Sequence, residues 1–255
     1  MKTRAEIHEA IVAAGMETLL AELDTVIVPA IDLLDYGLRG DAIPTGGSKR
    51  YGKPDLPPEF SWPCDQSDQP WGFVAQFNLE EAARFDVEKQ LPASGLISFF
   101  LSLYGEGRNQ IGACGVFYFP ELASLKRREF PEGHFTGHSE TSVQYWPCWS
   151  APCGGDYPGA KLEFNIIEDM RNGDTQLLGH PDDYQGELEP LCEEIYTGRP
   201  MRELSTEGRR QTYRDWVCLF KESEFSGGVF THNWLIRREH LAVADFSKVI
   251  RIDVN

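Results

Sequence analysis

The sequence predicts an α+β protein in which antiparallel β-structure dominates, with two internally duplicated β units behind an N-terminal amphipathic helix. Apolar residues near the N-terminus recur with the period of a helix, whereas the later apolar runs are short, aromatic and β-branched, with Gly and Pro at their ends. A Gly-x-Pro-Asp motif occurs twice. The elements lack the regular strand–helix alternation that is typical of a parallel nucleotide-binding sheet.

The helical pattern lies at the start of the chain and predicts an amphipathic helix of about five turns, which docks on the body of the protein or on a partner. Its apolar stripe consists of Ile7, Ile11, Val12, Met16, Leu19, Leu20 and Leu23. The Gly-rich connector "LRGDAIPTGGSKR" follows. We therefore assign residues 1–40 to a helical extension and residues 41–255 to one domain made of two degenerate repeats, about 46–130 and 160–255.

Strands are predicted where aromatic and β-branched residues cluster between turn residues. The first of them comes directly after a rigid stretch that holds five prolines between Arg50 and Trp71. The predicted strands are "WGFVAQFNL", "GLISFFLSLYG", "CGVFYFP", "TSVQYW", "RDWVCLFKE", "GGVFTHNWLIR" and "VIRIDV". Short helices are predicted for "ELASLKRREF" and "RREHLAVADF".

The two Gly-x-Pro-Asp motifs open similar series of elements. "YGKPDLP" begins at Tyr51 and leads to "PWGFVAQF" and "GLISFFLS", while "LGHPDDY" begins at Leu178 and leads to "DWVCLF" and "GVFTHNWLI". Such a motif predicts a turn, because Gly accepts positive φ, Pro fixes its own φ, and Asp can bond the backbone two residues on. The common order of elements favours an internal duplication.

The charge of the chain restricts its partners. Lys and Arg number 24 and Asp and Glu number 40, which gives a net charge of −16. Such a field repels phosphate backbones and anionic lipid surfaces, so we expect neither nucleic-acid nor membrane binding. A basic protein partner is attracted by the same field.

A cytoplasmic location is expected from the N-terminus and the cysteines. The N-terminal residues interleave charges with apolar side chains and so lack the continuous apolar core of a signal peptide. No run approaches the roughly 18 apolar residues of a membrane span. The six cysteines are scattered along the chain and are expected to be free thiols.

Three patterns carry possible chemistry, and each has a simpler interpretation that we prefer. His134, His138, Cys148 and Cys153 offer four ligands for zinc, but the loose spacing favours a polar loop, so we expect no cofactor. The "WPC" at Cys64 and at Cys148 suggests nucleophiles, yet structural cysteines are usually inert.

The acidic stretch "HPDDYQGELEPLCEE" is the third of these patterns. Its spacing is too loose for a calcium loop, in which oxygen ligands alternate closely around a Gly turn. The stretch indicates a solvated acidic face or a docking site for a basic partner. No residue set points to a catalytic centre.

The segments "SKRYGKPDLPPEFSWP", "PWGFVAQFNLEE", "LPASGLISFFL", "LLGHPDDYQG" and "DWVCLF" resemble the YwqG-like family of bacterial proteins of undefined function. The resemblance runs from about Gly46 to the C-terminus and departs from the family pattern at Lys53, where a second Gly is usual, and in "SEFSGGVFTHNWLI", which lacks the family's Trp-Gly-Asp. It implies a β-rich, duplicated roll and distant kinship with programmed cell death protein 2.

The resemblance implies a non-enzymatic cytoplasmic protein-binding module, chaperone-like or immunity-protein-like. The alternative is a small-molecule binder or enzyme with a cleft between the two repeats. Exposed tryptophans make good interface anchors, although large aromatic residues are more often buried. The candidate contact residues are Asp55, Trp62, Trp71 and Gln76 in the first repeat and Asp182, Gln185 and Trp216 in the second.

Overall fold

The computed structural model describes residues 3–35, 37–102, 109–112, 115–131, 139–152, 175–183, 187–224 and 230–254. Within these ranges the fold is dominated by antiparallel β-structure with a few short helices, as the sequence predicts. None of the helices in these ranges has the length and apolar character needed to cross a bilayer.

The strands are short at several places where the chain turns. They are β1 (Val28–Asp35), β2 (Lys49–Arg50), β3 (Asp55–Leu56), β4 (Gly72–Asn78), β5 (Leu96–Leu101), β6 (Val116–Phe119), β7 (Lys126–Arg127), β8 (Thr141–Ser150), β9 (Gln176–Leu177), β10 (Trp216–Glu224), β11 (Phe230–Arg237) and β12 (Ile250–Val254). The α-helices are α1 (Arg4–Ala13), α2 (Leu20–Leu23), α3 (Leu79–Ala82), α4 (Leu188–Thr197), α5 (Thr206–Asp215) and α6 (Arg238–Leu241).

The chain forms two compact units, and each is assembled from separate segments. The terminal unit contains Met1–Leu33, Trp146–Glu239 and Arg251–Asn255. The central unit contains Leu34–Tyr145 and His240–Ile250. The domain boundaries predicted from the sequence stay a prediction.

The central unit is built on the strand order β8-β2-β4-β5-β6, with β3 and β7 paired separately. Neighbouring strands of this order run antiparallel, and Lys49 of β2 lies opposite both Gln76 of β4 and Ser142 of β8. Its apolar core is aromatic because the strands carry alternating Phe residues on the covered face. The buried members of this core are Leu56, Trp71, Phe73, Leu96, Phe100, Phe119 and Leu125.

The terminal unit has the strand order β12-β11-β10-β9-β1. Gln176 of β9 lies opposite Asp32 of β1 on one side and Lys221 of β10 on the other. One apolar cluster of this unit joins the N-terminal helices to the end of β8 and to α5. It contains Ile7, Ile11, Leu23, Val26, Ile27, Trp149, Ala151 and Tyr213.

The N-terminal region differs from the single five-turn helix that its periodicity predicts. Helix α1 ends at Ala13, and Gly15 adopts a φ of 72°, so the chain turns before a 3-10 turn at Glu17–Leu19 and the short α2. Ile7 and Ile11 are nevertheless buried in the terminal unit. Most of the apolar stripe therefore packs within the terminal unit, whereas Val12 is exposed.

The predicted helix over "ELASLKRREF" is also wrong. The stretch forms a 3-10 turn at Leu122–Ser124 followed by β7, which pairs with β3 so that Arg127 lies opposite Asp55. Pro120 and Pro131 bound only ten residues, and the ion pair between Arg127 and Asp55 outweighs helix propensity there.

Candidate functional site

The first Gly-x-Pro-Asp motif forms the turn that the sequence predicts. Tyr51 and Gly52 adopt positive φ values of 56° and 67° directly after β2. A Cβ at Gly52 would lie 2.4 Å from the Cβ of Glu140, so both the conformation and the space require glycine. The turn reverses the chain and places Asp55 beneath β2 and β4.

Asp55 is the centre of a buried polar cluster in the central unit. Its carboxylate accepts hydrogen bonds from Gln76 Nε2 at 2.7 Å, from Arg127 Nε at 3.0 Å and from the Gly46 N–H at 3.0 Å. Burial alone would raise the pKa of Asp55, but the hydrogen bond from Arg127 and the charge of Lys49 hold the pKa below its ordinary value. Asp55 is thus a buried, ionised carboxylate with donors on several sides.

Gln76 has its hydrogen-bonding capacity used inside the protein. Its Oε1 accepts the Asp55 N–H at 2.8 Å, and its Nε2 donates to Gly47 O at 2.8 Å as well as to Asp55. The residue has no exposed surface. Because a buried amide needs such partners, Gln76 acts as a connector between β4, the residues before β2 and the Pro-Asp turn.

Lys49 is a fully buried lysine beside two carboxylates. Its Nζ lies 2.9 Å from Glu140 Oε1 and 3.5 Å from Asp55 Oδ2, and it also donates to the carbonyl of Lys53. Burial lowers the pKa of Lys49, while the charges of Asp55 and Glu140 act in the opposite direction. This arrangement ties β2, the turn and the start of β8 together.

Separate hydrogen bonds hold the proline-rich segment that follows the cluster, of which we call residues 57–70 the contact loop. Arg128 Nη1 donates to Pro57 O at 3.2 Å and Pro58 O at 3.1 Å, and Trp62 Nε1 donates to Trp71 O at 2.9 Å. Asp65 Oδ1 accepts the N–H groups of Ser67 and Gln69, both at 2.8 Å. The loop therefore has a defined conformation although most of it is exposed.

The contact loop is acidic as well as ordered. Glu59 and Asp68 are exposed, and Asp65 is half-buried. No Lys or Arg occurs between Pro54 and Ala83. The loop thus presents negative charge that no basic residue of the same segment offsets.

The second Gly-x-Pro-Asp motif forms a similar turn within the terminal unit. Leu178 and Gly179 have φ values of 63° and 92°, and Asp182 Oδ1 lies 3.0 Å from Lys221 Nζ on β10. Lys221 is buried, and so are its cross-strand neighbours Gln176 and Asn233.

Apart from the exposed Glu187, the acidic residues that the structure describes in the stretch after this motif do not form the solvated face that its composition suggests. Asp183 Oδ2 accepts the N–H of Leu188 at 2.7 Å and caps α4, and the buried Glu189 lies 3.0 Å from His180 Nδ1. Glu193 Oε2 accepts Trp216 Nε1 at 2.9 Å, and Glu194 Oε2 accepts the Met201 N–H at 2.7 Å. These carboxylates accept hydrogen bonds from donors inside the terminal unit and so help to hold α4 in place.

The predicted contact residues lie at different depths. Asp55, Gln76, Trp71 and Trp216 are buried, whereas Trp62, which belongs to the contact loop, is half-buried. Asp182 keeps a small exposed fraction beside Lys221, and Gln185 lies outside the described residues. The structure gives the six described side chains internal contacts, and the role of all seven residues in binding a partner stays a prediction.

The thiols of the two "WPC" sequences are not activated nucleophiles. Burial raises the pKa of Cys148 to about 12, and Asp32 adds to the effect. The slight burial of Cys64 and the charges of Asp68 and Asp65 raise the pKa of that thiol too. Both cysteines are therefore thiols at neutral pH, which opposes nucleophilic chemistry.

The zinc candidates cannot be placed as a set, because His134, His138 and Cys153 lie outside the described residues. The fourth, Cys148, is buried and contacts Gln176 Nε2 at 3.0 Å. In the part of the chain that the structure describes, no group of three or more His, Cys, Asp or Glu residues is arranged to hold a metal ion.

Sequence reasoning missed Lys49, Arg127 and Glu140 at the first turn and His180 at the second. A charged residue in a two-residue strand has no periodic pattern to mark it. The one available signal was the Gly-x-Pro-Asp motif itself, since a buried turn with an acid demands donors nearby.

Comparison with known proteins places the chain in a group without an assigned activity. A family model described as "Domain of unknown function (DUF1963)" matches residues 48–252. No curated protein matches the sequence.

Proposed function

The chain belongs to the family of the domain of unknown function DUF1963, and from this we propose that it is a non-enzymatic protein-binding module of the YwqG-like type, with the contact loop as its binding surface. The observation that carries the proposal is that the contact loop is exposed, acidic and held in one conformation. A chaperone-like or immunity-protein-like role is consistent with such a surface.

The rigidity of the loop favours binding because little conformational freedom remains to be lost. Arg128 donates a hydrogen bond to Pro57 O at the start of the loop, and Asp65 accepts the N–H of Ser67 in its middle. Trp62 donates to Trp71 O, directly after the loop ends. Trp62 also packs edge-on against Phe100 and Phe130, each with ring centroids 5.5 Å away. The loop is thus fixed to the aromatic core of the central unit.

The charge of the loop favours a basic partner. Glu59, Asp65 and Asp68 project a negative field and are part of the net charge of −16. Complementary charge mainly raises the association rate and selects the partner. The same charges disfavour nucleic acid and anionic lipid.

We also propose that the two repeats arose by duplication. In each, a two-residue strand is followed by a pair of positive-φ residues and a Pro-Asp, and the Asp side chain contacts the residue opposite that strand. The contacted residue is Gln76, opposite Lys49, in the central unit and Lys221, opposite Gln176, in the terminal unit. In the central unit the Lys is on the two-residue strand and the Gln is on its neighbour, and in the terminal unit the two residue types are reversed. The geometry of the turn is the same in both.

A cytoplasmic location remains part of the proposal. Cys64, Cys148, Cys192 and Cys218 are free thiols, which suits a reducing compartment.

Site-specific photo-crosslinking tests the binding surface. A photo-reactive amino acid at the exposed Ser61 should crosslink a basic protein in native lysate, whereas the same group at Val243, which is 72% exposed, should not. The double variant Glu59→Gln/Asp68→Asn should reduce the Ser61 crosslink about tenfold or more, since Asn tolerates the φ of 57° at position 68. Equal crosslinking from both positions, or no effect of the charge variant, would overturn the proposal.

A further inference from the structure

The N-terminal segment, residues 3–27, precedes the region that the family model matches and is bound to the terminal unit by both apolar and polar contacts. Ile7, Ile11 and Leu23 belong to a cluster with Trp149 and Tyr213. The polar contacts include Glu22 with Arg210 at 3.2 Å, Thr25 Oγ1 with Arg214 Nε at 3.3 Å, and Val26 O with His180 Nε2 at 2.8 Å. The hydrogen bond between His180 Nε2 and Val26 O is buried, and it requires a hydrogen atom on Nε2.

His180 is held from both sides of its ring. It has 1% of its surface exposed, its Nε2 faces Val26 O at 2.8 Å, and its Nδ1 faces Glu189 Oε1 at 3.0 Å. Its backbone N–H donates to Ser150 Oγ at 2.9 Å. The ring therefore connects the N-terminal segment to helix α4 through the second Gly-x-Pro-Asp turn.

The hydrogen-bond partners fix the number of protons that the pair must hold. Val26 O can only accept, so Nε2 has to carry a hydrogen. The Nδ1–Glu189 contact also needs one hydrogen, on the ring or on the carboxyl group. The pair thus holds one proton more than a neutral imidazole beside a carboxylate.

Loss of that proton breaks the hydrogen bond between His180 Nε2 and Val26 O of the N-terminal segment. The one remaining hydrogen stays at Nδ1, because a carboxylate is a stronger acceptor than a carbonyl. Nε2 then presents its lone pair to Val26 O at 2.8 Å, which replaces a hydrogen bond by a repulsive contact.

Among the residues that the structure describes, Glu189 is the charged group that faces the ring. Other titratable or charged groups on the elements around it have partners of their own: Asp24 with Arg4 and His8, Glu22 with Arg210, Asp182 with Lys221, Asp183 with the N–H of Leu188, Glu193 with Trp216 and Glu194 with the N–H of Met201. The Cys192 thiol on α4 is buried, and burial raises its pKa well above the ordinary value, so it stays neutral.

We propose that the proton shared by His180 and Glu189 is a pH-sensitive latch that holds the N-terminal segment on the terminal unit and releases it as the pH rises. The latch is closed while the pair carries the proton. Because the open form binds this proton less tightly, the opening equilibrium shifts with pH by up to about tenfold per unit.

Hydrogen–deuterium exchange of the full chain tests the latch. Exchange of a peptide from residues 4–23, corrected for the intrinsic pH dependence of amide exchange, reports the opening constant between pH 6 and 9. In the wild type this constant should rise by up to about tenfold per pH unit. In Glu189→Gln it should be flat, because the amide N–H donates to Nδ1 at every pH and Nε2 keeps its hydrogen for Val26 O.

His8→Gln is the matched control, since His8 titrates within the same segment against Asp24 at 2.7 Å. The opening constant of His8→Gln should rise with pH as steeply as that of the wild type. A flat wild-type profile, or a Glu189→Gln profile with the wild-type slope, overturns the proposal. If Glu189→Gln does not fold, ¹⁵N spectra of the wild-type His180 ring decide: Nε2 losing its proton in step with opening supports the latch, and Nε2 keeping it at pH 9 overturns it.

Discussion

Asp55 shows how one buried side chain can fix the position of a turn. Its carboxylate receives Gln76, Arg127 and the Gly46 N–H, and it lies 3.5 Å from Lys49 Nζ. A buried ion pair of this kind does not add much net stability compared with an apolar core, but removing one partner leaves buried charge without compensation. The cluster therefore specifies the position of the turn that begins the proline-rich segment.

Asp55→Asn should destabilise the protein by about 3 kcal/mol at pH 7, because Lys49 loses one of its two carboxylates and Arg127 loses its ion pair. The pKa of Asp55 in the folded protein lies below its ordinary value of 3.8. Its ion pairs therefore contribute fully above about pH 3.8, and this contribution is lost as the pH falls through the lowered pKa. Urea unfolding of both proteins from pH 7 to pH 3 measures the difference, which should shrink at the acid end.

Glu59→Gln provides the control for that measurement, since Glu59 is exposed on the contact loop. Its unfolding free energy should stay within about 0.5 kcal/mol of the wild type. A difference below 1 kcal/mol for Asp55→Asn at pH 7, or one that does not change with acid, would contradict the role assigned to the carboxylate.

At the scale of elements, most of the long strands could be predicted from the sequence and the short ones could not. The exception is β1 (Val28–Asp35), which lies in the segment that we assigned to a helical extension. "WGFVAQFNL" and "GLISFFLSLYG" contain β4 and β5 because apolar and aromatic runs between turn residues indicate strands directly. β2 and β9 have two residues each, too few for any periodic pattern, and each places a polar side chain in the interior. The position of these two strands is set by their pairing with neighbouring strands, in which Lys49 lies opposite Gln76 and Gln176 lies opposite Lys221. This pairing is not visible in the sequence of either short strand.

The exchange of Lys and Gln between β2/β4 and β9/β10 makes a prediction about β10. Lys221→Gln should cost only about 1 kcal/mol, because a Gln at this position can donate to Asp182 as Gln76 donates to Asp55. Lys221→Met has a similar length and no donor, so it should cost about 3 kcal/mol. Thermal and urea unfolding of the two variants give the comparison. Equal losses would mean that the two turns are not equivalent.

At the scale of the whole chain, the repeats read from the sequence and the compact units of the structure are different pieces. The chain passes from one unit to the other four times, at Leu33/Leu34, Tyr145/Trp146, Glu239/His240 and Ile250/Arg251. β9, at the start of the second repeat, pairs with β1, which lies far before that repeat. Sequence self-similarity finds related series of elements, but it cannot show which distant strand completes each of them.

A fragment of residues 160–255 should therefore fail to fold on its own. It lacks β1, which pairs with β9, and it lacks Ile7, Ile11 and Trp149 of the terminal-unit cluster. Each missing large apolar side chain removes about 2–5 kcal/mol, which together exceeds the 5–15 kcal/mol stability of a typical domain once the strand is lost as well. Circular dichroism and amide NMR dispersion of the fragment measure this directly. The matched control is a fragment of residues 34–145, which keeps the first half of β8 beside β2 and the buried aromatic core of the central unit and should retain more native-like dispersion. A cooperative unfolding transition in the 160–255 fragment alone would show that β1 and the N-terminal segment are dispensable for that half of the chain.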